Sequence, residues 1–236
     1  MESSPLAAPD AAIPALRGLT RRSVLAGGVA SLALAGCSTI ASQRPAAPLA
    51  AEARPIDPRA RMMYAAMPQE QFPIPAVDLT KLEPQFYRQL VDDPTGEQPG
   101  TVVVSTAERF LYLVREDGTA MRYGVGLGRA GFEWSGRALI QWKRPWPTWT
   151  PPAEMIAREP ELEQWRQGMP PGLDNPLGAR ALYIFKDGQD TLYRLHGTNQ
   201  AWSIGRAVSS GCVRLLNQDI IDLYGRVPAR TPILVA

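Results

Sequence analysis

The chain has 236 residues, of which 20% are charged, and a formal net charge of +2. This balance gives no electrostatic basis for binding nucleic acid, which requires a strongly basic surface. The sequence contains one histidine, His196, and two cysteines, Cys37 and Cys212. A zinc site takes three or four such ligands, so we expect no metal site.

Residues 1–37 are predicted to form an export signal. The stretch 19–40 reads LTRRSVLAGGVASLALAGCSTI, in which Arg21 and Arg22 precede a mildly apolar run. That run is too short to span a bilayer as a stable helix, but it has the length of the apolar part of a signal peptide. The arginine pair before it resembles a twin-arginine export signal, so we expect a periplasmic protein.

The end of this segment predicts lipid attachment. Leu34-Ala35-Gly36-Cys37 resembles a bacterial lipobox, in which the cysteine becomes the first mature residue and carries the lipid that anchors the protein to a membrane. Ser38 stands where an acidic residue would indicate retention at the inner membrane, so the outer membrane is favoured. The alternative is ordinary cleavage, with no lipid on Cys37. A lipidated Cys37 cannot form a disulfide with Cys212, which predicts that Cys212 is a reactive thiol.

Residues 38–98 are interpreted as a tether and an N-terminal extension. Ala, Pro, Gln and Arg dominate as far as Arg61, and no sustained apolar periodicity is present. We expect a short helix around Leu82–Val91. A domain boundary follows at the turn-forming residues Pro94, Gly96, Pro99 and Gly100.

Residues 99–236 are predicted to form the folded domain, and most of its elements are strands. Asp117-Gly118 predicts a hairpin turn, and short helices are expected at Ala153–Arg158 and Asn217–Tyr224. The many short strands and Gly/Pro turns predict a mostly β sandwich or barrel with short helices. The segments expected to be extended are 101–114, 121–128, 137–142, 180–188, 190–197 and 231–236.

The pairing of His196 with Cys212 suggests nucleophilic catalysis. A thiolate is the reactive form of cysteine, and an ordinary thiol with a pKa of about 8.5 is mostly protonated at neutral pH. An adjacent imidazole accepts this proton, and the resulting imidazolium stabilises the thiolate. Gly211 allows the backbone to turn and present N–H groups to an oxyanion, with Ser209 and Ser210 as further hydrogen-bonding groups.

These residues also resemble a known family. His196-Gly197-Thr198, followed by Ser209-Ser210-Gly211-Cys212-Val213-Arg214, resembles the signature of the L,D-transpeptidase (YkuD-like) catalytic domain, and the resemblance extends over about residues 100–236. It implies a β-rich fold in which Cys212 is the nucleophile and His196 the base. It also implies oxyanion binding by the backbone at Gly211 and Cys212, and substrate binding near Gly197, Thr198 and Arg214. Many relatives carry histidine where this chain has Ser210, so His196 is the only imidazole available.

The resemblance implies an activity on peptidoglycan stem peptides without a cofactor. The cysteine attacks the carbonyl of the third, diamino-acid residue, releases the fourth residue, D-alanine, and passes the acyl group to an amine of another stem or of an outer-membrane protein. Two alternatives stay open: an L,D-carboxypeptidase or amidase that uses water instead of the amine, and a non-catalytic wall-binding lipoprotein. Arg214 either binds a stem carboxylate or braces the loop. The Trp- and Pro-rich segment 142–165 either forms a lid or packs on the sheet.

Overall fold

The computed structural model describes residues 55–128, 135–209 and 212–236, without the side chains of Val208 and Ser209. The predicted signal segment, Cys37, Ser210 and Gly211 therefore lie outside the described residues. Within the described ranges, no helix has the length and apolar character needed to cross a membrane.

Eleven strands are found among the described residues, and nine of them form one mixed sheet. Its order is β1-β4-β3-β2-β11-β6-β7-β8-β10, while β5 and β9 form a separate parallel pair. The domain is therefore mostly β, as predicted. The strands are β1 (Gln89–Asp92), β2 (Val102–Ser105), β3 (Phe110–Val114), β4 (Thr119–Gly124), β5 (Leu127–Gly128), β6 (Gly136–Pro145), β7 (Arg180–Lys186), β8 (Gln189–Thr198), β9 (Ala207–Ser209), β10 (Val213–Leu216) and β11 (Thr231–Val235).

Six of the eight neighbouring pairs in the large sheet are antiparallel, whereas β2 with β11 and β8 with β10 are parallel. Parallel neighbours cannot be joined by a tight turn and need a crossover of about a dozen residues or more. The chain between Thr198 and Val213 provides this crossover, with a 3-10 turn at Ala201–Ser203 and strand β9 along the way. This topology returns the chain beside β8 immediately after Cys212.

Three α-helices are described: α1 (Pro58–Met63), α2 (Ala153–Arg158) and α3 (Asn217–Arg226). The two helices predicted within residues 99–236 correspond to α2 and α3. Ile220 and Leu223 of α3 are fully buried in the main core, where they join Leu182 of β7 and Leu195 of β8. The strands therefore turn one face towards the helix and the core, and every second residue belongs to the opposite face.

The N-terminal extension differs from the expectation. The helix predicted around Leu82–Val91 is absent: Pro84–Phe86 forms a single 3-10 turn, and β1 then pairs antiparallel with β4. Here the hydrogen bonds offered by the edge of the sheet outweigh the weak local preference for helix. Part of the segment interpreted as a tether is also folded, since α1 begins at Pro58.

The extension packs against the domain through an apolar cluster. Phe86 inserts between two glycines of the domain, because a Cβ atom on Gly124 would lie 2.6 Å from the Phe86 Cβ and one on Gly205 would overlap the Phe86 ring. The extension is therefore part of the folded unit from α1 onwards. The buried members of the cluster are Ala60, Tyr64, Leu79, Leu82, Phe86, Ala201, Ile204 and Leu216.

Candidate active site

His196 lies near the end of β8 and is buried. Its Nδ1 atom is 3.0 Å from the carbonyl oxygen of Gly197. A carbonyl oxygen can only accept a hydrogen bond, so in the neutral ring this contact places the proton on Nδ1 and leaves Nε2 unprotonated. This contact favours the tautomer that a general base requires, and the Pro176 backbone is a second hydrogen-bond partner that, like Gly197, acts to raise the pKa of the ring.

Cys212 is partly buried and stands directly before β10. In the parallel pairing, Val213 lies opposite Leu195 and Arg214 opposite His196. The backbone of Arg194 forms a hydrogen bond with the Cys212 thiol. Cys212 therefore lies beside the part of β8 that carries Arg194 and His196, whose side chains share one face of the strand.

The directions of the pKa shifts favour a neutral pair in the resting site. Burial raises the pKa of the Cys212 thiol, although the Arg194 backbone and the charges of Arg194 and Arg214 lower it. Burial lowers the pKa of His196 to about 4, and the charge of Arg214 acts in the same direction. The thiolate–imidazolium pair expected from the sequence is therefore not the favoured resting form.

Gly197 packs closely against the first residue of α3. Its N–H donates to Leu177, and a Cβ on Gly197 would overlap Oδ1 of Asn217, the first residue of α3. The same Asn217 oxygen accepts a hydrogen bond of 2.9 Å from the Ala179 N–H. The peptide that orients His196 is therefore packed directly against the start of a helix.

The backbone and the side chain of Arg214 form hydrogen bonds with different residues. Its N–H and carbonyl pair with Gly126, at 2.8 and 2.9 Å. Its guanidinium donates to Gln200 Oε1 at 3.4 Å, and it contributes positive charge at both Cys212 and His196. These contacts brace the crossover, and they also place a cation beside the reacting pair.

The remaining predicted site residues occupy different positions. Thr198 ends β8, and its hydroxyl accepts a hydrogen bond from the Gln200 N–H at 3.1 Å, which stabilises the turn that follows. Ser209 ends β9. Ser210, Gly211 and the lipidation site Cys37 lie outside the described residues.

Three residues that shape this site were not predicted from the sequence. Arg194 lies two positions before His196, so the two-residue strand period was a signal that it shares the face of the histidine. Gln200 and Asn217 had no comparable signal, because their roles depend on contacts with Arg214 and Gly197 across elements. Among the described residues, no group of three or more His, Cys, Asp or Glu side chains forms a possible metal site.

The tryptophan-rich segment is at least partly a packing element. Trp146 is buried, its ring contacts Phe72 with centroids 4.9 Å apart, and its Nε1 donates to Glu70 at 3.0 Å. Glu70 also forms an ion pair of 2.8 Å with Arg180. The part of this segment around Trp146 is therefore fixed between the extension and β7.

Known proteins share this domain. Residues 99–235 match the model of the L,D-transpeptidase catalytic domain family, YkuD. The probable L,D-transpeptidase YbiS of Escherichia coli K12 is 37% identical over 143 residues, which cover 58% of this chain and 44% of that protein. The probable L,D-transpeptidase ErfK/SrfK of the same strain is 36% identical over 141 residues, covering 57% of this chain and 43% of that protein.

The chain thus spans less than half the length of these two curated relatives. A crystal structure from Brucella melitensis, described as a probable carnitine operon oxidoreductase, is 46% identical and covers 64% of this chain and 94% of that chain, with a TM-score of 0.47. The family match spans more than half of the chain and includes both His196 and Cys212. The chain belongs to the family of L,D-transpeptidase catalytic domains.

Proposed function

We propose that this protein is a peptidoglycan L,D-transpeptidase in which Cys212 is the nucleophile and His196 the general base. The observation that carries the proposal is the parallel pairing of β8 with β10, which brings Cys212 beside the face of β8 that bears His196. Family membership supports the reaction class. A purely wall-binding protein needs neither a buried imidazole of fixed tautomer nor a thiol beside it.

Acylation begins from the neutral thiol and the neutral imidazole. As the Cys212 sulfur attacks the carbonyl carbon of the third stem residue, its proton passes to Nε2 of His196. The imidazolium then gives this proton to the nitrogen of the fourth residue, and the C–N bond breaks. D-alanine leaves, and the third residue stays attached to Cys212 as a thioester.

Transfer reverses the same proton movements. An acceptor amine attacks the thioester carbonyl, His196 removes a proton from the attacking nitrogen, and the C–S bond breaks. The thiolate of Cys212 recovers the proton from His196, which restores the resting site. Water in place of the amine gives the L,D-carboxypeptidase reaction, so the acceptor decides between these two activities.

Acylation by a carbapenem tests the nucleophile. The intact mass of the protein should increase by one carbapenem adduct, and peptide mapping should place that adduct on Cys212. Cys212→Ser should not be labelled at neutral pH, because a serine hydroxyl is a much weaker nucleophile with this base. An unmodified wild-type protein after hours of exposure would favour the wall-binding alternative.

The products distinguish the two enzyme activities. With disaccharide-tetrapeptide as substrate, we expect released D-alanine and a dimer linked between two third residues. His196→Ala should abolish both products, since both steps require its proton transfer. Disaccharide-tripeptide without dimer would identify a carboxypeptidase, whereas exchange of D-alanine for added D-methionine would establish acyl transfer.

We further propose that the protein is exported and anchored in the periplasm through a lipid on Cys37, with the outer membrane favoured. The support is the sequence 19–40, in which two arginines, an apolar run and a lipobox-like cysteine follow one another. Cys37→Ala should abolish labelling by radioactive palmitate and leave an unprocessed or soluble protein. Unchanged membrane association and mobility of this variant would contradict lipid attachment.

A further inference from the structure

A row of large side chains crosses three strands on the catalytic face of the sheet. Trp142 of β6 lies opposite Tyr183 of β7, and Tyr183 lies opposite Arg194 of β8. His196 shares the face of Arg194, because it stands two residues further along the same strand. The row therefore starts beside the reacting pair and leads away from it across the sheet.

The members of the row are stacked on one another. The rings of Trp142 and Tyr183 are nearly parallel, at 10°, with centroids 3.6 Å apart. The Arg194 guanidinium lies 4.4 Å from the centroid of the Tyr183 ring and forms two hydrogen bonds to Asp190, of 2.7 and 2.8 Å. These contacts hold Trp142 in a defined orientation, because the partner on its inner side is itself fixed.

The outer end of the row is open. Trp142 retains 37% of its accessible surface, whereas Tyr183 beside it is buried. Arg144 is exposed on the same strand face, and its guanidinium lies 5.7 Å from the centroid of the Trp142 ring. A flat aromatic surface beside an exposed hydrogen-bond donor suits a ligand with one apolar face and several oxygen acceptors.

The distance from the nucleophile indicates which part of the substrate reaches this surface. Trp142 and Cys212 are separated by three inter-strand steps, which amount to roughly 14 Å at about 4.8 Å a step. An extended peptide covers about 3.3–3.6 Å for each residue, so three stem residues and the link to the glycan span a similar length. A stem whose third carbonyl lies at Cys212 is therefore long enough for its sugar to reach Trp142.

We infer that Trp142, supported by Tyr183 and flanked by Arg144, is a saccharide-binding subsite that holds the glycan end of the acyl donor. The inference rests on the proposed function, since it takes the donor to be a stem peptide attached to Cys212 at its third residue. The sugar ring stacks on the indole, and the Arg144 guanidinium donates to its oxygen atoms. The subsite makes the protein select stems that are still attached to glycan.

The test compares two donors, disaccharide-tetrapeptide and the free tetrapeptide, by the rate of D-alanine release. Wild-type protein should use the disaccharide form with the higher kcat/KM. Trp142→Ala should lower kcat/KM for this donor about three- to tenfold through KM, a size typical of one stacking contact. It should leave the free tetrapeptide unchanged, and Trp142→Phe should restore most of the preference because it keeps an aromatic face.

Trp202→Ala is the matched control, since Trp202 is also exposed, at 42%, but belongs to the crossover between β8 and β10 and not to the row on the sheet. This variant should not change the ratio of the kcat/KM values for the two donors. The subsite would be overturned if wild-type protein had the same kcat/KM for both donors, or if Trp142→Ala lowered kcat/KM equally for both. Arg144→Gln, which leaves the aromatic stack in place, should weaken only the disaccharide donor.

Two further measurements separate this inference from the proposed function. Carbapenem acylation of Cys212 should proceed at the same rate in wild-type protein and Trp142→Ala, because it does not involve a sugar. The affinity of Cys212→Ala for disaccharide-tripeptide, measured by calorimetry, reports on the subsite without turnover. This affinity should be lower in the double variant that also carries Trp142→Ala. Binding that depends on Trp142 without acylation would support the subsite alone, and acylation without this dependence would support the function alone.

Discussion

At the scale of single residues, the chemistry of the site is set by burial. The ring of His196 is buried beside Arg214, and both features disfavour the imidazolium. Burial likewise disfavours the Cys212 thiolate more strongly than the nearby positive charges favour it. In the proposed reaction, the proton therefore passes from sulfur to nitrogen as the new C–S bond forms, and no ion pair precedes the attack.

The pH dependence of Cys212 alkylation tests whether the resting site is neutral. The rate of Cys212 modification by iodoacetamide should rise steadily with pH and reach its midpoint above the ordinary thiol pKa of about 8.5, because the raised pKa keeps the thiol protonated until then. His196, with its pKa lowered to about 4, is already neutral at pH 6 and adds no step there. The rate would be followed by mass spectrometry from pH 5 to 10.

A short reference peptide containing the same cysteine provides the control, and it should react faster than the folded protein at neutral pH. A reaction already at its plateau between pH 5 and 8 would show a thiolate–imidazolium pair and contradict the neutral resting site. Cys212→Ala should abolish the signal in the protein.

At the scale of elements, the site depends on the contact between the end of β8 and the start of α3. Asn217 occupies the space beneath Gly197, and the Gly197 carbonyl in turn accepts the hydrogen bond from His196. Gly197→Ala would place a methyl group against Asn217 Oδ1, at 3.0 Å from the Ile220 Cγ2 and 3.1 Å from the Ala179 N. Strand and helix then have to separate, which moves the peptide that orients the imidazole.

We expect Gly197→Ala to slow carbapenem acylation at least tenfold and to lower the free energy of unfolding by about 1–3 kcal/mol, as overpacking does in other cores. Acylation would be timed by intact mass, and stability measured by urea denaturation. Gly225→Ala is the matched control, because Gly225 lies exposed in α3 with no atom within 4 Å of a new Cβ. It should leave acylation unchanged and stabilise the helix slightly. Normal acylation in Gly197→Ala would show that the position of this peptide is not critical.

At the scale of the whole molecule, the extension and the sheet fold as one unit. Strand β1 extends the sheet beyond β4, and Phe86 fills the space between Gly124 and Gly205. The buried Tyr64 donates to Asp219 of α3 at 3.1 Å and accepts from the Arg88 N–H at 2.7 Å. The extension therefore covers apolar surface of the domain and also donates a hydrogen bond to one oxygen of the buried Asp219 carboxyl group.

Phe86→Ala should accordingly lower the free energy of unfolding by about 3–5 kcal/mol, the usual cost of removing a buried aromatic ring. Met62→Ala is the control, since Met62 is largely exposed on α1 and its truncation should change stability by less than about 0.5 kcal/mol. Urea denaturation of both variants measures the difference. A loss below about 1 kcal/mol for Phe86→Ala would mean that the extension contributes little to the fold.

The sequence by itself determined the class of the domain and the two central residues. Runs of β-branched and aromatic residues between turn-forming residues predicted the strands from β2 to β8 and β11, because such side chains fit a pleated sheet. The sole histidine and the cysteine motif indicated the reacting pair, since few residue types perform this chemistry. The spacing of Asn217–Tyr224 likewise predicted α3, which the structure describes as Asn217–Arg226.

Only the tertiary structure decided what surrounds these residues. The fold of the extension depends on the edge of β4 and on the two glycines that receive Phe86, and neither is encoded near residues 82–91. The protonation of His196 and Cys212 depends on burial and on Arg214. The alignment of Trp142 with Tyr183 depends on the register of two separate strands. Local sequence sets local geometry, but burial and register arise from contacts between segments far apart in the chain, and these exist only once the sheet has formed.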